Sequence, residues 1–113
     1  MTIKQYRTCL QELSNYTDQA AYVSDLALSS MWGDNAEDVP QTRIDALAAI
    51  WAAAHRGIAD IATAAGLSQR KLAERCGIPY RTIEAWSAGD RQPPLYVLLL
   101  IQEALGLLQL DIS

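Results

Sequence analysis

The chain has no phenylalanine, a single histidine, only two cysteines and few aromatic residues of any kind. Each shortage removes a class of chemistry. His55 stands alone, without an HExxH-like neighbourhood, and reads as a surface or capping residue rather than as a metal ligand or general base. Cys9 and Cys76 lie far apart in separate helical patterns, so no cysteine pair is available for zinc. With no secretory signal ahead of them the expected setting is the reducing cytoplasm, and both read as small buried hydrophobes. No glycine-rich loop is placed to cradle a phosphate, and no nucleophile has a base nearby. No enzymatic activity, metal or cofactor is therefore expected. The apolar tail after Pro94 is too short and too interrupted to span a bilayer, and no membrane partner is expected.

What is present is alanine, leucine and a moderate charge. At 113 residues the chain fits one domain, large enough to bury a core without disulfides or metals, and its composition favours helix over strand. An all-α protein of about six helices is expected. The net charge is −4, unfavourable for contact with a phosphate backbone, but it is unevenly spread. From Gly66 to Pro94, five basic residues (Arg70, Lys71, Arg75, Arg81, Arg91) face three acidic ones (Glu74, Glu84, Asp90), a balance of +2. The first 65 residues sum to −4 and the tail after Pro94 to −2. Basic charge thus gathers on one stretch, though its field is weak.

Along the chain, Ile3, Tyr6, Cys9, Leu10 and Leu13 recur at helical spacing and predict a helix over about Thr2 to Ser14. A second, from about Asp18 to Met31, places Val23, Leu26 and Ala27 on one side and is closed by Trp32-Gly33. Gly33 to Asp38 reads as a loop. Asp34, Glu37 and Asp38 are better explained as a solvated acidic stretch before a helix N-terminus than as metal ligands. Pro40 suits the first turn of the next helix. Ile44, Leu47, Trp51, Ala54, Ile58, Ile61 and Ala65 recur in steps of three and four, a seam that predicts one continuous helix from about Pro40 to Ala65, with Gly57 a weak point in its interior. After Pro94, LYVLLLIQEALGLLQL is apolar around most of a helix, leaving a polar strip of Gln102, Glu103, Gly106 and Gln109. One buried stripe would satisfy a surface helix. The excess therefore calls for a second partner, either the N-terminal helices or another copy of the chain, through Tyr96, Leu100, Ile101, Leu105 and Leu108.

The stretch from Gly66 to Pro94, GLSQRKLAERCGIPYRTIEAWSAGDRQPP, organises the rest. Ser68 is a good N-cap for a helix whose Leu72, Ala73 and Cys76 share one face. Gly77 ends that helix, and Pro79 opens a second. In the second helix Ile83 and Trp86 point to the core and Arg81, Glu84, Ala85 and Ala88 point outward, with Tyr80 on the flank. Gly89 stops it. Two short helices joined by a tight glycine turn make a helix-turn-helix unit. The run LSQRKLAERCGIPYRTIEAWSAG, followed by Arg91 and Pro93-Pro94, resembles the Cro/Xre-type, lambda-repressor-like DNA-binding family, and the match spans most of Ile58 to Leu107. It departs at Pro79, where that family usually has a serine or threonine, which removes a capping hydroxyl and a phosphate contact.

The resemblance implies a lambda-repressor-like bundle in which the helix of about residues 79–88 lies in the major groove of double-stranded DNA. It implies base contacts from Gln69, Tyr80, Arg81, Glu84 and Ala85, and phosphate contacts from Ser68, Arg70, Lys71, Arg75 and Arg91. It also implies a cytoplasmic transcription regulator acting as a homodimer. On this reading residues 1–39 are an N-terminal helical extension packed on the same domain, and residues 40–113 form the DNA-binding domain with its apolar C-terminal helix. A different class of function stays open beside it. A helix-turn-helix scaffold can serve as a protein-interaction module, as an antitoxin-like acidic partner of a basic protein.

Overall fold

The computed structural model of the chain describes residues 1–33 and 38–112. Among them there are seven α-helices and no strand: α1 Ile3–Glu12, α2 Gln19–Ala27, α3 Gln41–Ala54, α4 Ile58–Ala64, α5 Gln69–Cys76, α6 Tyr80–Ala88 and α7 Leu95–Ala104. The class is all-α, as the composition predicts. The helix beyond the expected six arises because the seam from Ile44 to Ala65 is broken in two. The acidic residues Asp34 and Glu37, expected in a loop, lie outside the described residues, while Asp38 is exposed.

The break falls between Ala54 and Ile58. Gly57 is extended, at φ −75° and ψ 162°, and serves as the N-cap of α4 instead of an interior residue. An interior glycine would cost about 1 kcal/mol relative to alanine, whereas at an N-cap glycine is well tolerated, and Asp60 in the first turn adds a favourable charge at the helix start. The chain divides at the same place. One compact unit is Met1–Ala54 with Gln109–Ser113, and the other is His55–Leu108. The seam helix thus contributes α3 to the first unit and α4 to the second, where the sequence suggested a boundary at 39/40.

In the first unit, α1 begins with a reciprocal cap. Gln5 N donates to Thr2 Oγ1 at 3.1 Å, and Thr2 N donates to Gln5 Oε1 at 2.8 Å. A 3-10 turn, Leu13–Asn15, completes the stretch predicted as helix. Asp18 caps α2 by accepting from Ala21 N at 3.1 Å. That helix stops at Ala27, short of Met31, because its last carbonyls are taken from outside. Trp32 Nε1 donates to Leu26 O at 2.8 Å, Arg43 donates to Ala27 O at 3.1 Å, and the Arg43 guanidinium lies 4.5 Å from the Trp32 ring centre. Pro40 stands just before α3, its carbonyl accepting from Arg43 N and Ile44 N.

The core of this unit is centred on Tyr22, which the α2 pattern did not single out. Its ring is 5.2 Å from that of Trp51 and 5.7 Å from that of Tyr16, and its hydroxyl donates to Cys9 O at 2.8 Å. That bond satisfies the hydroxyl and makes complete burial tolerable. Leu47, Ile50, Trp51 and Ala53 are all buried, so α3 presents a wider face to the core than the narrow seam implied. Cys9 is buried here, and loss of solvent pushes its thiol up to about 11.

In the second unit, Ile58, Ile61, Ala62, Leu72, Ala73, Ile83, Leu98, Leu99, Ile101 and Leu108 are buried. One polar side chain joins them. Gln102 was expected on the solvent strip of α7 but is fully buried, its Oε1 accepting from Arg56 at 3.0 Å and its Nε2 donating to Leu98 O at 3.2 Å. The bonds remove the penalty of burying the amide. Consequently α7 is rotated from the expected orientation, and Tyr96 and Leu100 are 63% and 60% exposed. The helix ends at Ala104. Gly106, at φ 75°, closes it, and Leu107 N reaches back to Gln102 O at 2.8 Å.

Candidate nucleic-acid interface

The interface candidates sit on α5, α6 and the turn between them. Ser68 Oγ accepts from Lys71 N at 3.1 Å and starts α5. Gly77, at φ 67°, ends it in the left-handed conformation, and Ile78 N donates to Ala73 O at 3.0 Å, tying the turn to the helix just built. Pro79 then occupies the N-cap of α6. Its carbonyl accepts from Thr82 N at 2.9 Å and Ile83 N at 3.2 Å, but no side chain caps the helix. The amides of Tyr80 and Arg81 at the start of α6 are accordingly left for solvent or an anion. Gly89, at φ 81°, closes α6 and places Asp90 and Arg91, whose amides both donate to Ala85 O.

Two contacts hold α5 against α6. Gln69 Nε2 donates to Ser87 Oγ at 2.9 Å, and the Arg70 guanidinium lies 4.2 Å from the centre of the Tyr80 ring. Four of the sequence-derived candidates are thereby located: Ser68 spends a lone pair on its cap, Gln69 is half-buried and tied to α6, and Arg70 covers Tyr80. Neither pairing was deduced from the sequence, since both depend on how the helices cross. Ser87, on the last turn of α6, was not among the candidates.

The remaining side chains differ in their surroundings. Arg81 and Glu84 are exposed on α6, and Ala85 is half-buried beside them. Among the described residues Arg81 has no ion-pair or hydrogen-bond partner, so its guanidinium is not committed to Glu84 or Glu74. Lys71 and Arg91 are exposed as well. Arg75 stands apart from these. With Cys76, Ile78, Val97 and Leu100 it lines a groove of about 420 Å3 beside α7. Cys76 is half-buried there, with its thiol held above the ordinary value by burial. Of the two α6 residues assigned to the core, Ile83 is fully buried, while Trp86, a larger side chain on the penultimate turn, is only half-buried. Of the proposed α7 contact residues, Ile101 and Leu108 are buried, Leu105 is half-buried, and Tyr96 and Leu100 face outward.

No helix of the described residues is long and apolar enough to cross a membrane. No group of three or more His, Cys, Asp or Glu side chains is arranged to hold a metal among those residues.

A family model described as "Helix-turn-helix" fits residues 58–112, which begin at the first residue of α4 and run past the end of α7. No curated protein and no solved structure matches the chain. Over residues 58–112 the chain is thus similar to the helix-turn-helix family, in keeping with the Cro/Xre-like resemblance of its motif.

Proposed function

We propose that the chain is a sequence-specific, DNA-binding transcription regulator that places α6 in the major groove. The observation carrying this reading is Arg81. It is exposed near the start of α6 with no partner among the described residues, which leaves its guanidinium available for two bonds to a guanine edge. Glu84 and Ala85 follow on the same face, where they suit a cytosine amino group and a thymine methyl. Lys71, Arg91 and the guanidinium of Arg70 supply phosphate contacts that set register without reading sequence. Tyr80 and Gln69, held by Arg70 and Ser87, contribute rigid edges to this surface and retain a hydroxyl and an amide for base or phosphate.

The second unit carries six basic and five acidic residues. A charge of +1 supports only modest affinity from one copy, and two copies reading two half-sites would double the contacts. The exposed Tyr96 and Leu100 on α7 are the surface we assign to that pairing. Leu100→Lys is expected to convert a dimer to a monomer in sedimentation experiments and to weaken DNA binding by about tenfold or more, without unfolding the chain. An unchanged mass would remove α7 from the dimer contact.

Selection of bound sequences from random duplex DNA, together with the mass in solution, tests the whole reading. A symmetric enriched site bound by a dimer supports it, and no enrichment over random sequence refutes it. Lys71→Ala should weaken all duplexes alike and reduce the slope of log affinity against log salt by about 1. A loss confined to one sequence would instead make Lys71 a base reader.

A further inference from the structure

We infer that the first unit carries a docking groove for a basic amphipathic helix of a partner protein, independent of the DNA-binding reading. The groove, of about 640 Å3, is open to solvent and lies along α2 and α3. Ala20, Val23 and Ala27 line it from α2, with Leu28 beyond the end of that helix, and Ile44 and Ala48 line it from α3. The α2 positions follow one another at three and four residues, so the apolar stripe runs the length of the helix. Leu28, 56% exposed, is a large apolar side chain at one end of this stripe. Ala20, Ala27 and Ala48 keep the floor of the groove low, which lets a third helix approach to the 8–10 Å typical of packed helices. A groove this open would leave much of a small molecule in water, whereas a helix laid along it buries a continuous apolar face.

Charge selects the occupant. The first unit carries eight acidic and three basic residues, a net −5. Of the three bases, Arg43 is engaged at the end of α2, and Lys4 and Arg7 belong to α1. Among the described residues, the charged side chain lining the groove is Asp18. Asp25 and Asp45, exposed on the same two helices, lie outside the lining and accept from Tyr16 Oη and Gln41 Nε2. Two copies pairing through this groove would set −5 against −5, which disfavours self-association there. A helix with a leucine-type face and lysine or arginine flanks meets the apolar stripe, the Asp18 carboxylate at its edge and the net negative charge of the unit.

The test uses the full chain and two synthetic helical peptides of about 15 residues. Both carry leucines at i, i+3, i+4 and i+7; one has lysine at the remaining positions and the other glutamate. Amide shifts recorded by NMR report the site. The lysine peptide is expected to bind with shifts concentrated at residues 20–28 and 44–48, and the glutamate peptide about tenfold more weakly or not at all. Leu28→Lys and Ala20→Lys, both at exposed positions and so compatible with folding, should each weaken the lysine peptide by about tenfold or more. Failure of the lysine peptide to bind, equal binding of the two peptides, shifts centred elsewhere, or full binding by both variants would overturn the assignment.

Discussion

Arg81→Ala is expected to leave the chain folded and still attached to DNA while erasing its preference at one base-pair position. The two halves of that result have separate causes. Arg81 is exposed and has no partner among the described residues, so truncating it removes no packing, and stability should change by less than about 0.5 kcal/mol. Discrimination is another matter. A bidentate arginine-to-guanine contact is worth about 1 to 3 kcal/mol, so the ratio of affinities for the selected site and its single-base variant should fall by roughly 5- to 150-fold. Arg81→Lys keeps the charge but loses the planar fork, and should recover general affinity more than selectivity. If the selected sequences are the same for wild type and Arg81→Ala, the helix enters the groove in another orientation or not at all.

The second large effect is on stability. Ile83→Ala removes a fully buried side chain from the middle of α6 and should cost about 2 to 5 kcal/mol, a substantial part of the 5 to 15 kcal/mol that keeps a typical domain folded. The helix is unusually dependent on that contact. Pro79 offers no side-chain cap, so α6 is held mainly by its packed face, the Gln69 to Ser87 bond and the Arg70 to Tyr80 stack. Urea titration followed by far-ultraviolet circular dichroism should show a lower midpoint with Ile83→Ala. A smaller shift, about 0.5 to 1.5 kcal/mol, is expected with Ile83→Val. DNA affinity should fall only in proportion to the unfolded fraction. A loss of affinity in a fully folded Ile83→Ala protein would mean that the side chain orients α6 and does more than anchor it.

The parts of this molecule that were readable in its sequence are those whose signals are local. Ser68, Gly77 and Gly89 mark the ends of α5 and α6 through capping chemistry that operates over a few residues, and the helix-turn-helix follows from them. The misread parts depend on distant partners. Gly57 looks the same in sequence whether it weakens a long helix or caps a new one. Gln102 carries a polar side chain that belongs on a surface until Arg56, 46 positions earlier, is brought to it. Tyr22 reads as amphipathic, and only the Cys9 carbonyl and the Trp51 ring make it a core residue. The candidate interface divides in the same way. That Arg81 lies on the outer face of α6 follows from helical periodicity, but the ties of Gln69 to Ser87 and of Arg70 to Tyr80 follow from how two helices meet, and periodicity carries no information on that.

The bond between Arg56 and Gln102 also ties the interior of the module to a residue outside the matched span. Arg56 lies just ahead of residues 58–112, outside the span that matches the family, yet it supplies a proton to an oxygen enclosed near the other end of the module. A fragment trimmed to the matched span would keep the acceptor and discard this donor. Related chains that keep the buried glutamine are expected to keep a donor for its oxygen, at this position or at another.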